Sequence, residues 1–182
     1  YSMKRVFAAI CMSAVAALAL AQTPVPAKPA VAPPVKPAAN AVVTMPLLSG
    51  KTSEGKPFNL QSLRGKVVLL MYWSTDCAVC RDKMPELRQN YAGWQNKPFE
   101  LVLVSTDRRM QDVEDYEKII SSTVPLAQRF VQLWAGEPGF RDNLGKQASL
   151  PMAFLLDKSG RVVERYSGRI PAEAWDKIAE LL

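Results

Sequence analysis

An α/β fold with a mixed central sheet flanked by helices is predicted, and three observations predict it. Residues 66–73 (KVVLLMYW) and 99–105 (FELVLVS) are near-continuous apolar runs, the pattern of strands buried on both faces. A helical pattern lies between them, as a parallel crossover requires. Further on, MAFLL at 152–156, the turn Asp157-Lys158-Ser159-Gly160 and residues 161–166 read as an antiparallel hairpin, with a helix after it.

Taken in order, residues 44–48 and 56–60 suggest a short N-terminal hairpin ahead of the first buried strand. The helix is expected from Cys77 to about Trp94. Val79, Met84, Leu87 and Tyr91 are read as its apolar face, and Pro85 inside it should kink it. Residues 112–120 look helical, and 130–134 read either as a strand or as an irregular segment. A terminal helix over 171–182 has Pro171 near its first turn, where the missing N–H costs nothing. The order is strand, helix, strand, helix, hairpin, helix, so a βαβ half is followed by a ββα half.

Ahead of this domain, Lys4 and Arg5 follow Met3, and an apolar run over 6–21 ends in Ala19-Leu20-Ala21. Basic, apolar and small-residue regions in that order form a secretory signal, expected to be cleaved after Ala21. The run is shorter than the roughly 20 residues that span a bilayer, and an uncleaved anchor is the alternative. Cys11 lies inside the run without a lipobox around it. Residues 22–40 are rich in Pro, Ala and Lys, a composition that stays extended and acts as a spacer. The organisation expected is therefore a signal at 1–21, a linker at 22–40 and one domain at 41–182. An uncleaved signal would make the linker a membrane tether.

Composition narrows the chemistry. The chain has 182 residues and no histidine, which removes Ser-His-Asp and Cys-His catalysis and every metal site built on imidazole. The formal net charge of +6 does not gather into a basic stripe, so no nucleic-acid partner is expected.

Cys77-Ala78-Val79-Cys80 falls where the first buried strand becomes a helix. Unpaired N–H groups and the positive end of the helix dipole favour an anion there, so the Cys77 thiolate should be stabilised. The i, i+3 spacing brings both sulfurs to one helix face, close enough to pair. Cys77 would attack a partner's disulfide and Cys80 would resolve the mixed disulfide. A zinc site lacks further ligands, and haem attachment fails because Arg81 follows Cys80. A purely structural disulfide closing so small a loop stabilises little. No cofactor is expected beyond the redox-active pair itself. Pro151, at the first residue of a strand, is sterically permitted there and needs no special role on that ground.

Three motifs then carry a resemblance: Phe58-x-Leu60-x-x-Leu63-Arg64-Gly65-Lys66-Val67-Val68-Leu69, Trp73-x-x-x-Cys77-x-x-Cys80-Arg81-x-x-x-Pro85-x-Leu87, and Leu150-Pro151-x-x-Phe154-Leu155-x-Asp157-x-x-Gly160. Together they resemble the TlpA/ResA-like branch of the thioredoxin superfamily, over about residues 42–182. The resemblance implies a thioredoxin-like fold, an attacking Cys77, a resolving Cys80 and a cis bond before Pro151. It also implies Trp73 packed beside the disulfide, and a periplasmic or membrane-tethered enzyme that reduces disulfides of exported proteins, as in cytochrome c maturation. A membrane electron donor would then serve it.

The chain departs from this pattern in ways that tune the site. Asp76 stands where an aromatic residue is common, and its charge disfavours the Cys77 thiolate. Ala78 and Val79 stand where Pro is common. Lys83 stands where many relatives have Glu, and with Arg81 it is expected to favour the thiolate. Met71 occupies the position of thioredoxin's buried Asp, leaving Asp76, Asp82 or water as proton acceptor for Cys80. Trp94, Trp134 and Trp175 read as packing residues. The irregular stretch 126–143 is expected either to border the active-site face or to be an ordinary surface excursion.

Reductase is the preferred direction, on the resemblance alone. A thiol oxidase of the same fold is the first alternative, and a non-enzymatic Cu(I) carrier or scaffold is the second. A peroxidase reading uses the Ser-x-x-Cys spacing of Ser74 and Cys77, but Leu70 stands where Pro is expected.

Overall fold

The computed structural model describes residues 45–182; the expected signal and linker, and residues 41–44, lie outside the described residues. The strands are β1 (Leu48–Lys51), β2 (Pro57–Asn59), β3 (Val67–Trp73), β4 (Phe99–Ser105), β5 (Val131–Trp134), β6 (Arg141–Asp142), β7 (Met152–Leu156) and β8 (Val162–Ser167). The α-helices are α1 (Ala78–Gly93), α2 (Met110–Thr123) and α3 (Glu173–Leu181). The central sheet has the order β5-β4-β3-β7-β8. β3, β4 and β5 run parallel, and β7 and β8 join antiparallel. The segment left open at 130–134 is thus the parallel edge strand β5.

β3 is buried at every position, because both sheet faces are covered. Val67, Leu69, Met71 and Trp73 pack with Cys80, Met84 and Leu87 of α1 and with Ala174 and Ile178 of α3. Val68, Leu70 and Tyr72 alternate to the other face, as strand periodicity demands. There they meet Met45, Leu48, Leu60 and Leu63. The apolar residues of the N-terminal extension thus help close the second face.

The extension departs from the reading in two details. Its first strand starts at Leu48, four residues later than expected, because Pro46 has no N–H for a ladder. It pairs with β2 and also with β6, so a three-stranded sheet β2-β1-β6 replaces a simple hairpin. At the other end of β2, the Asn59 side chain accepts the Gln61 N–H at 2.9 Å and caps a 3-10 turn, Leu60–Leu63, which removes Leu60 from the strand. α2 is longer than expected at both ends, and α3 begins after Pro171 rather than at it. α1 continues through the exposed Pro85 to Gly93.

The β7–β8 turn matches its reading. Gly160 there has φ +85°, and a Cβ would lie 2.7 Å from the Met45 side chain, so the turn needs glycine for both conformation and space.

Candidate active site

β3 and β4 are in register from Val67 opposite Phe99 to Trp73 opposite Ser105. Their carboxyl ends therefore finish level, and loops gather there as they do at the strand ends of open α/β sheets. Ser74, Thr75 and Asp76 turn the chain from β3 into α1. The Cys77 N–H donates to the Ser74 carbonyl at 3.2 Å, which closes the turn.

Cys77 is the N-cap of α1, with extended backbone, and its Sγ accepts the Cys80 N–H at 3.2 Å. The two sulfurs are joined in a disulfide with Cα atoms 5.2 Å apart. The spacing makes the cysteines unequal. Cys77 is partly buried at the turn, whereas Cys80, one turn into the helix, is fully buried. Of the two, only Cys77 keeps any exposure.

The floor of the site is apolar. Met71, Trp73, Met84 and Leu87 belong with Cys80 to one fully packed cluster, so no carboxylate occupies Met71's position. Trp73 is completely buried and meets Tyr116 of α2 edge-on at 4.8 Å. The Arg88 guanidinium donates to the Tyr116 hydroxyl at 2.5 Å. Trp94, Trp134 and Trp175 are half-buried packing residues: Trp94 meets Phe99 and Trp175 edge-on, and the Trp134 indole N–H donates to the Asp107 carbonyl at 2.8 Å.

The Leu150–Pro151 peptide is cis, and Pro151 is buried at the start of β7, the strand beside β3. Leu150 lines a groove with Ser74, Thr75, Asp76 and Asp107. From Leu150 and Asp107 the groove runs on past Tyr72 to Ala135, Gly136 and Phe140. The irregular stretch after β5 thus shares a groove with Leu150, the residue before Pro151.

The charged residues are arranged less simply than the sequence implies. Asp76 is exposed, and its carboxylate accepts the Ser74 hydroxyl. Arg81 is exposed on the first turn of α1. Lys83 is buried and donates to both Glu86 oxygens, at 2.8 and 2.9 Å. Its charge is thus met by a carboxylate one turn further along the helix. That corrects the expectation that Lys83 supports the Cys77 thiolate. Burial alone would push the Glu86 carboxyl up. The hydrogen bonds from Lys83 and Trp175, with the charges of Lys83 and Arg169, outweigh it and hold the group below its ordinary range. Asp82 is exposed and lies 3.6 Å from Arg169.

Val79 is also corrected. It is 38% exposed, and the buried stripe of α1 is Cys80, Met84 and Leu87, with Tyr91 partly buried beyond. Those spacings of three and four residues keep one face, whereas the five-residue step from Val79 to Met84 leaves it.

Sequence reasoning missed Asp107. Its carboxylate accepts the Thr75 N–H at 3.0 and 3.1 Å, the Thr75 hydroxyl at 2.6 Å and the Ser105 hydroxyl at 2.5 Å. The available signal was Ser105-Thr106-Asp107, a polar run ending a buried strand at the carboxyl edge of the sheet.

Comparison with known proteins agrees with this geometry. The AhpC/TSA family model matches residues 42–177. The chain is 32% identical over 115 residues to thiol-disulfide oxidoreductase ResA of Bacillus thuringiensis, covering 63% of this chain and 62% of that protein. It is 29% identical over 121 residues to the ResA of Geobacillus thermodenitrificans, covering 66% and 65%. The chain thus spans less than two thirds of the length of these relatives. The crystal structure of a thiol:disulfide interchange protein of the thioredoxin family from Chlorobium tepidum superposes with a TM-score of 0.61 at 25% identity, over 78% of this chain and 97% of that one. With its thioredoxin-like sheet, its Cys-x-x-Cys helix start and these relatives, the chain belongs to the AhpC/TSA family, in the TlpA/ResA-like branch of the thioredoxin superfamily.

Proposed function

We propose that the protein is an exported thiol–disulfide oxidoreductase, working as a reductase of disulfides in other exported proteins. The observation that carries the disulfide exchange is the asymmetry of the pair, a partly exposed Cys77 at a helix N-cap bonded to a fully buried Cys80. The reducing direction rests on the family resemblance, and export on the N-terminal signal pattern. The names of the relatives support the same chemistry. The reading places the protein in the periplasm, free or tethered, with substrates such as apo-cytochrome c.

In the reducing direction, the Cys77 thiolate attacks one sulfur of the partner's disulfide, and the other partner sulfur leaves as a thiolate. The Cys80 sulfur, once deprotonated, then attacks Cys77 Sγ and expels the second partner sulfur. The Cys77–Cys80 disulfide forms as the partner gains a dithiol, and the released thiolates take up protons according to their pKa. A dithiol donor at the membrane returns the electrons. The helix N-terminus favours the Cys77 thiolate both as nucleophile and as leaving group. Leu150 and Pro151 form the wall against which the partner's chain lies, and Trp73 keeps the floor dry.

The test is the reduction potential of the Cys77–Cys80 couple, followed by alkylation in glutathione buffers. A value below about −230 mV, on the thioredoxin side of the scale, supports a reductase. One above about −150 mV would reverse the direction to that of an oxidase. Absence of any reversible disulfide would remove the proposal.

A further inference from the structure

We infer that Asp107 is a positioning residue for Cys77, acting through Thr75; the inference rests on Cys77 being the attacking thiol. Asp107 lies just beyond the end of β4, 32 positions from Thr75 in sequence. It spends its carboxylate on three neutral donors, the Thr75 N–H, the Thr75 hydroxyl and the Ser105 hydroxyl. Its own N–H returns to the Ser105 hydroxyl oxygen at 3.1 Å, and its carbonyl accepts the Trp134 indole at 2.8 Å. Thr106 completes the brace, donating its N–H at 2.8 Å and its hydroxyl at 3.1 Å to the Trp73 carbonyl. The carboxylate is thus fixed from its own side and holds Thr75 from across the strand pair.

What it holds is the turn that aims Cys77. Thr75 lies inside the turn closed by the Cys77 N–H on the Ser74 carbonyl. That turn sets Cys77 as N-cap, where the Cys80 N–H points at its sulfur. Loosening Thr75 lets the sulfur drift from the helix end and lose the N–H group and dipole that favour the thiolate.

The sign of one measurement separates this role from the alternatives. As a bare negative charge near the turn, Asp107 would disfavour the thiolate, and its removal would lower the Cys77 pKa. As a positioning residue its removal raises that pKa. The other charged groups about the turn are Asp76, Arg81 and Asp82 along the chain, with Arg108, Arg109 and Asp112 across the groove. They are the same in every variant, so they form a constant background.

The experiment measures the pH dependence of Cys77 alkylation in the reduced full chain, for Asp107→Ala, Thr75→Val, the double variant and Thr75→Ser. Asp107→Ala and Thr75→Val should each raise the Cys77 pKa by about half a unit to one unit. The double variant should shift it no further than the larger single change. Thr75→Ser, which keeps the hydroxyl, should stay near the parent. A fall in pKa on Asp107→Ala, with Thr75→Val unchanged, would overturn the inference in favour of a through-space charge. Unchanged pKa values with lowered melting temperatures would overturn it in favour of bracing alone. If Asp107→Ala does not fold, Thr75→Val against Thr75→Ser decides by the same readout. Alkylation reads the thiol whether or not the protein turns over substrate, so failure here is distinct from failure of the oxidoreductase reading.

Discussion

The two ends of the β3–β4 strand pair each carry one partly buried carboxylate, and the two are used differently. At the amino end, Glu100 accepts from the Lys66 ammonium at 2.9 Å and from the Tyr91 hydroxyl at 2.7 Å. At the carboxyl end, Asp107 accepts, among the described residues, only from the neutral groups of Thr75 and Ser105. Glu100 is neutralised by a cation and ties α1 to the sheet. Among the described residues Asp107 takes no cation as donor, and its donors are Thr75 of the turn before Cys77 and Ser105 at the end of β4. One set of contacts joins a helix and a strand to the sheet, and the other fixes the turn that enters α1. Between them Leu101, Val102, Leu103 and Val104 of β4 are apolar and fully buried.

The sharpest way to break that contrast is at the sulfurs. Cys77→Ser should abolish disulfide exchange, and Cys80→Ser should leave a mixed disulfide with a model substrate that non-reducing gels detect. If Cys77→Ser retained exchange, the functional end would be elsewhere.

The middle of the strands comes next. Leu101, opposite Leu69 and fully buried, should cost about 2–5 kcal/mol when replaced by Ala, read from urea midpoints. The alkylation pH profile of Cys77 should not move. A shifted profile would show that the core does transmit to the site.

The amino end should give the smallest effect. Tyr91 is held above the ordinary tyrosine range, by burial first and then by its hydrogen bond to Glu100 and that group's charge. A raised folded pKa contributes stability that is present below about pH 10, the unfolded value, and is lost as pH rises through the folded value. Glu100→Gln removes the charge and should let Tyr91 ionise at lower pH, seen in the tyrosinate absorbance. The loss at neutral pH should be about 1 kcal/mol or less, since Lys66 is partly exposed and its ion pair is screened. Cys77 should again be unaffected.

Much of this molecule was legible before its structure. The apolar runs of β3, β4 and β7, and the Asp-Lys-Ser-Gly turn, appear where they were read, because each depends on contiguous residues. The Cys-x-x-Cys at a strand-to-helix junction is local in the same way. Lys83 was misread because its partner Glu86 was not considered, although i, i+3 pairs lie within one helix face. Val79 was misread because one apolar residue at the start of a helix fits several stripes, and only the sheet beneath α1 selects among them.

By itself, then, the sequence determined the order of elements, the double burial of the central strands and the placement of two cysteines at a helix start. These follow from backbone propensity, side-chain periodicity and fixed spacing, all of which act over a few residues. Tertiary structure decided that Arg141–Asp142 would join the N-terminal strands, that Trp73 would meet Tyr116, and that Asp107 would meet Thr75. Each of those depends on how distant segments are registered against one another, and parallel register is set by the packing of whole strands rather than by any window of sequence.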